Sequence, residues 1–83
     1  MTAEALASEA LDHAAVRERF GEPQDWVGSV NDPRTREEHG IRFNEKWIYF
    51  LPHREQRWIY WHRYGFRGAL RVAADGSVHE ETL

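Results

Sequence analysis

The sequence predicts an α+β fold in which one or two amino-terminal helices pack on an antiparallel β-meander of about four strands, giving two layers. Residues 2–20 are rich in the helix formers Ala, Leu and Glu, whereas residues 41–83 are aromatic, β-branched and divided by turn residues. No linker separates the two parts, and 83 residues suffice for only one compact core. We therefore expect a single domain over residues 1–83, irregular at 24–40 between its helical part and its β-meander.

Residues 2–20 are predicted to be helical, and Gly21 ends the segment because glycine favours the left-handed cap of a helix. Small apolar residues recur at helical spacing on one face: Ala3, Leu6, Ala7, Ala10, Leu11 and Ala14. Val16 and Phe20 fall on nearly the opposite face, so one straight helix cannot bury both sets against a single partner. We favour two short helices that meet near Asp12, which would cap the second, over one helix buried on two sides.

Residues 24–40 allow two interpretations. A short strand is compatible with residues 26–30, and the Asn-Asp-Pro sequence at 31–33 is a turn signal. With Asp32 as an N-cap and Gly40 as a stop, the segment also fits one short helical turn. The sequence leaves open whether this region is that helical turn or a hairpin loop.

The remaining chain is predicted to form strands joined by hairpins. Residues 47–51 are aromatic and β-branched, and the polar residues 52–56 form a hairpin connection. From 57 to 73 the chain has a period of two, but one strand of that length would extend ~56 Å. The chain must therefore bend, and Gly65 or Gly68 is where a bend or bulge costs least.

A further hairpin is predicted at residues 74–76, whose sequence is Ala-Asp-Gly. A three-residue loop with Gly76 in the left-handed region places Val72 opposite Val78, so that two apolar residues form a cross-strand pair. The tail, residues 77–83, is then an edge strand whose acidic side chains discourage pairing with another sheet.

Alternation divides residues 57–73 into two faces, and a single helical layer covers only one of them. The even face is expected to be the core beneath the helices: Trp58, Tyr60, Tyr64, Phe66, Leu70 and Val72. The odd face is then expected to be exposed, although it carries two large apolar residues among four arginines: Arg57, Ile59, Trp61, Arg63, Arg67 and Arg71. Strand 47–51 is apolar on both faces, so one of its large pairs must also point outward. The candidates are Trp47 with Tyr49 and Ile48 with Phe50.

An exposed face that combines tryptophan and arginine is typical of protein interfaces, and a small soluble protein rarely leaves such a patch uncovered. We therefore expect a small non-enzymatic protein-binding or regulatory accessory protein that uses the six odd-face residues. Its partner would be another protein or a second copy of the chain in a homodimer. A structural alternative is that the arginine stems and a loop within 28–40 simply cover this face.

Two other functions remain open. A single-stranded RNA- or DNA-binding protein could use the same face, although the acidic helix and tail count against nucleic acid. A small ligand-binding or catalytic protein could be centred on His62, paired with an acid such as Glu45 or Glu55.

Most other chemistry is not indicated by the sequence. There is no cysteine, the histidines lack metal-binding spacing and no glycine-rich phosphate loop occurs, so we expect no metal site, no cofactor and no catalytic residue. No apolar run reaches the ~18–20 residues of a membrane span. The first twenty residues are acidic with no base before Arg17, which is unlike a secretory signal. We therefore expect a cytoplasmic protein without membrane association.

Overall fold

The computed structural model describes residues 11–83, and the first of the two predicted helices lies outside the described residues. The described chain contains one helix, seven strands and a short 3₁₀ turn, in this order: α1 (His13–Phe20), β1 (Asp25–Gly28), β2 (Arg36–Glu38), β3 (Ile41–Phe43), β4 (Glu45–Phe50), the turn Pro52–Arg54, β5 (Gln56–His62), β6 (Gly65–Val72) and β7 (Val78–Glu80).

Five of these strands form an antiparallel sheet in the order β1-β4-β5-β6-β7, and β2 pairs with β3 as a separate two-stranded ribbon. The α+β class and the antiparallel sheet are confirmed, whereas the predicted strand number is too low. No helix within residues 11–83 has the length and apolar character that a membrane span requires.

Helix α1 begins at the break that the sequence predicts, because Asp12 caps it. The Asp12 carboxylate accepts a hydrogen bond from the backbone N–H of Ala15 at 2.8 Å. At the other end Gly21 has a φ of 81°, and its N–H donates to the carbonyl of Arg17 at 2.7 Å. The predicted helix start after Asp12 and the predicted end at Gly21 are therefore confirmed.

Tight turns join the central strands. Between β6 and β7, Gly76 has a φ of 89° and Val72 lies opposite Val78, as predicted. Between β5 and β6, the turn residues Arg63 and Tyr64 both have positive φ, 50° and 74°. This pair of left-handed residues is the conformation that a two-residue hairpin of type I′ requires.

A β-bulge changes the alternation inside β6. Tyr60 pairs with Gly68, but Trp61 pairs with Phe66, so Arg67 has no partner in the ladder. Residues on the two sides of the bulge exchange faces, which places Phe66 on the same face as Trp61. The predicted irregularity near Gly68 is thus present, but it also changes which side chains share a face.

Residues 24–40 contain β1 and β2, and the hairpin is the correct alternative for this region. The ribbon turns at His39 and Gly40, which have φ values of 51° and 77°. Asp32 does not cap a helix; its carboxylate accepts a hydrogen bond from the backbone N–H of Arg34 at 2.9 Å and so stabilises a turn.

The two faces of the main sheet have two different covers, and this corrects the predicted core. Helix α1 packs on the odd face, where Ile59 and Trp61 are 0% exposed. The buried cluster on this side is Val16, Trp47, Tyr49, Ile59, Trp61 and Ala69. The ribbon covers part of the even face, where the buried cluster is Phe43, Tyr60 and Leu70. The expectation that the odd face is exposed is therefore wrong, because the helix covers it and the ribbon covers the even face.

Four residues of the predicted even-face core also differ from expectation. Tyr64 is 61% exposed because it lies in the hairpin turn, not in a strand. Phe66 packs on the helix side because the bulge reverses the alternation. Trp58 and Val72 are only half-buried.

The interior position of Trp61 predicts a large loss of stability when the ring is removed. We expect Trp61→Ala to lower the free energy of unfolding by about 3–5 kcal/mol, because a buried ring leaves a cavity. Tyr64→Ala removes a ring that is 61% exposed in the adjoining turn, so it should cost less than about 1 kcal/mol. Chemical denaturation of both variants beside the wild type measures the difference. Equal stability of Trp61→Ala and the wild type would show that the odd face is not interior.

Candidate functional site

The centre of the odd face is buried in the folded chain, so it cannot serve as a binding surface. Trp61 stacks on the imidazole of His13, with ring centroids 3.9 Å apart, and meets Trp47 edge-on at 5.2 Å. Its indole Nε1 is buried and has no hydrogen-bond partner among residues 11–83. Of the six predicted partner-binding residues, Ile59 and Trp61 therefore serve as core, and this corrects their assignment to a surface.

A buried histidine–carboxylate pair fixes helix α1 on the sheet. His13 Nε2 lies 2.7 Å from Glu45 Oε1, and the other carboxylate oxygen accepts a hydrogen bond from Trp47 Nε1 at 2.9 Å. Both oxygens of Glu45 are thus occupied by structural contacts. The pair that the sequence left open, His62 with Glu45 or Glu55, is not formed; His62 Nε2 instead lies 3.4 Å from the hydroxyl of Thr35.

Arg57 and Arg71, two more of the predicted surface residues, belong to an internal ion-pair network. Arg57 forms hydrogen bonds to Glu81, and its guanidinium lies 4.2 Å from the ring centroid of Phe20. Arg71 bridges two carboxylates, with Nη2 2.7 Å from Glu55 and Nη1 3.2 Å from Glu81. Through Glu81 these arginines bind the carboxyl-terminal tail to the sheet, and Glu81 and Glu55 together balance their charges.

The network changes the acidity of Glu81. Partial burial acts to raise the pKa of this carboxyl, but hydrogen bonds from Arg57 and Arg71 outweigh it and hold the pKa below the usual value of 4.5. Because the pKa is lower in the folded state, Glu81 stabilises the fold above the unfolded-state pKa, and this contribution is lost as pH falls through the folded-state pKa.

The last two predicted surface residues, Arg63 and Arg67, are exposed and form no ion pair with any described residue. Arg67 is the bulge residue of β6, and with Arg42 and His62 it borders a cleft of about 370 Å³ beside the ribbon. Arg63 does not line this cleft. Its backbone N–H donates a hydrogen bond to Asn44 Oδ1 at 3.1 Å. The six predicted residues therefore fall into three groups. Ile59 and Trp61 are core, Arg57 and Arg71 form ion pairs, and Arg63 and Arg67 are exposed at separate places.

An apolar strip lies partly exposed on the even face, beside the area that the ribbon covers. The ring of the ribbon-turn residue His39 reaches its edge, with its centroid 6.2 Å from that of Trp58. Strand pairing places Ile48 beside Trp58, and Phe50 in line with Val72 and Val78 across the intervening Gln56. Phe50 is 58% exposed, and the other members are half-buried. The apolar strip is Ile48, Phe50, Trp58, Val72 and Val78. The expectation that one pair of strand 47–51 points outward is confirmed, and the pair is Ile48 with Phe50.

A buried lysine marks the boundary between the ribbon and the apolar strip. Lys46 Nζ lies 2.9 Å from Glu38 Oε1 and 4.3 Å from the ring centroid of Trp58. Glu38 also accepts a hydrogen bond from the hydroxyl of Tyr60 at 2.8 Å. Burial acts to raise the pKa of Glu38, but the bonds from Lys46 and Tyr60 hold the pKa below its usual value. The ribbon is therefore anchored at its β2 end by charge, and it meets the strip at Trp58, whose ring centroid lies 6.2 Å from that of His39.

Comparison of the chain with protein-family models, with curated proteins and with solved structures finds no match. Within residues 11–83, no group of three or more His, Asp or Glu side chains is arranged to hold a metal ion. The candidate sites must therefore be judged on their own geometry.

Sequence reasoning missed two residues that the structure makes prominent. His13 has no motif around it, and only the fold brings it to Glu45, 32 residues away along the chain. Arg42 reaches the cleft because β3 lies across β5 and β6, a placement that alternation in the sequence does not reveal. Arg67 was among the six residues that the sequence predicts as partner-binding, but its place in a bulge beside Arg42 was not predicted.

The Arg57–Glu81–Arg71 network predicts a pH-dependent contribution to stability. We expect Glu81→Gln to be less stable than the wild type by about 1–3 kcal/mol near neutral pH, because two guanidinium groups lose a charged acceptor. The difference should shrink as pH falls from 4.5 through the lower folded-state pKa, because the unfolded chain takes up the proton first and the folded carboxyl follows. Thermal or urea unfolding across pH measures it. Glu80→Gln, an exposed neighbour without an ion pair in the described chain, is the control, and an equal effect there would contradict the network.

Proposed function

We propose that this protein is a small non-enzymatic binding protein that self-associates through the apolar strip. The observation that carries the proposal is the uncovered half of the even sheet face, where Phe50 is 58% exposed beside half-buried Trp58. When a partner removes such apolar surface from water, the free energy of the system falls, and this favours association. The strip thus takes the role that the sequence assigned to the odd face.

The strip differs from the other exposed aromatic positions of the described chain. Tyr64 is equally exposed, but it lies in a turn and its hydroxyl is within 3.5 Å of Asn31. Trp26 projects from the edge strand β1 on the helix side. Only the strip joins several apolar side chains across four neighbouring strands, which is the kind of surface that forms the centre of an interface.

The charges around the strip favour a second copy as its partner. Arg54 follows Phe50 in the next turn, Asp25 pairs with Ile48 in the register, and Glu80 lies beyond the strip on β7. None of the three charged side chains forms an ion pair with a described residue. A rim that carries both signs is self-complementary across a twofold axis, because the positive part of one copy can face the negative part of the other.

The same geometry counts against the nucleic-acid alternative on the odd face. A strand of RNA or DNA would need free arginines to bind phosphates and exposed rings to stack on bases. Arg57 and Arg71 are paired with Glu55 and Glu81, and Trp61 is 0% exposed. The odd face therefore offers neither its central ring nor these two charges.

Self-association through the strip predicts a dimer that one substitution dissociates. We expect the wild-type protein to have about twice the 9.8 kDa mass of one chain in sedimentation experiments. Phe50→Asp should weaken the dimer at least about tenfold, because it replaces the most exposed apolar side chain of the strip with a charge. The fold of the variant is checked by its unfolding transition.

Tyr64→Asp is the matched control, because Tyr64 is 61% exposed but lies at the opposite end of the sheet from Phe50. It should leave the dimer unchanged. A wild-type mass of one chain at high concentration would overturn the proposal. Equal dissociation by Tyr64→Asp and Phe50→Asp would show that the strip is not the interface.

A further inference from the structure

The cleft beside the ribbon concentrates positive charge that the fold itself leaves unpaired. Arg42 on β3 and Arg67 in the bulge of β6 both border this cavity of about 370 Å³, with His62 at the end of β5 between them in the chain. Both arginines are exposed, and neither forms an ion pair with a residue of the described chain. Glu37 lies opposite Arg42 in the ribbon register, but no ion pair joins them.

Of the eight other arginines in residues 11–83, five form ion pairs with carboxylates: Arg17, Arg34, Arg36, Arg57 and Arg71. Arg19, Arg54 and Arg63 are also unpaired within this range, and Arg42 and Arg67 differ from them because they line the same cavity. None of the described residues that line this cavity carries a carboxylate, so an anion bound there would meet two guanidinium groups and no negative side chain of the lining. The cleft therefore differs from the general surface in both charge and shape.

A β-bulge and two glycines shape the backbone around the cleft and keep Arg42 and Arg67 at its edge. The bulge gives Arg67 no partner in the ladder, so its side chain is free of the regular alternation of β6. Gly68 allows β3 to approach closely, since a Cβ there would lie 3.3 Å from Ile41 Cδ1. Gly40, with a φ of 77°, forms the turn at the other wall. Rigid strands and a tight turn thus hold the two arginines at the same cleft.

We propose that this cleft binds the phosphate group of a small phosphomonoester. Arg42 and Arg67 would contact its oxygens through their planar guanidinium forks, and the His62 imidazole would form a third polar contact. A phosphomonoester carries nearly two negative charges and three acceptor oxygens, which match two guanidinium groups better than one carboxylate does. The cavity of about 370 Å³ is also larger than a phosphate group alone and leaves room for the organic part of the ester.

The test uses phenyl phosphate as the probe and benzoate as a carboxylate with the same ring. Amide NMR spectra of the full-length protein during titration should show saturable shifts confined to residues 40–42 and 62–68. Phenyl phosphate should bind at least about tenfold more tightly than benzoate, because charge-assisted bonds to the second guanidinium group are lost with the carboxylate. Arg42→Gln and Arg67→Gln should each weaken binding of phenyl phosphate by about tenfold or more.

Arg54→Gln is the matched control, because Arg54 is also exposed and unpaired but lies at the opposite end of the sheet. It should leave binding unchanged. Shifts that never saturate, equal affinities for phenyl phosphate and benzoate, or equal effects of Arg54→Gln and Arg67→Gln would each overturn the proposal. Tighter binding of a single-stranded oligothymidylate at the same residues would overturn the small ester in favour of a nucleic-acid strand. The Phe50→Asp variant should bind phenyl phosphate normally, which separates this site from the strip.

Discussion

The burial of Trp61 beneath helix α1 determines how the rest of the molecule is arranged. The indole stacks on His13 and packs on Trp47, so the helix must cover the odd face of the central strands. Because the even face is also apolar, a second cover is required, and the ribbon β2–β3 supplies it over Tyr60 and Leu70. The ribbon is too short to cover the whole face, and the apolar strip remains.

The distribution of ion pairs divides the arginines into structural and available groups. Arg57 and Arg71 hold the carboxyl-terminal tail through Glu81, and Lys46 anchors the ribbon through Glu38. In such ion pairs the positive and negative charges balance each other locally, so these side chains offer little net charge to a ligand. At the cleft, two arginines without an ion pair in the described chain line the same cavity, and on the strip apolar surface remains partly exposed. The proposed cleft site lies near the β5–β6 turn, whereas Phe50 lies at the other end of the sheet, so the two proposed sites are separated along the strands.

Local features of this fold could be predicted from the sequence, whereas the choice between its two faces could not. The cap at Asp12 and the pairing of Val72 with Val78 depend on nearby residues, and both are confirmed. The covering of each face depends on long-range packing. Because both faces of β5 are apolar, the preference for the even face that we drew from alternation was wrong. The bulge at Arg67 places Phe66 opposite Trp61, on the odd face, although strict alternation predicted Phe66 on the even face. That one large pair of strand 47–51 points outward was predictable because the strand is apolar on both sides, but the choice of Ile48 with Phe50 over Trp47 with Tyr49 was not.

The covering of the two faces can be measured directly by solvent accessibility in solution, with a soluble paramagnetic agent and NMR of aromatic and methyl signals. If the arrangement is correct, Trp61 and Ile59 are protected at every protein concentration, whereas Trp26, at 62% exposure, is broadened and serves as the internal reference. Phe50 and Ile48 should be protected at high protein concentration and become accessible on dilution, as the proposed dimer separates. Broadening of Trp61 to the same extent as Trp26 would contradict the burial of the odd face. Accessibility of Phe50 that does not change with concentration would contradict the use of the strip as an interface.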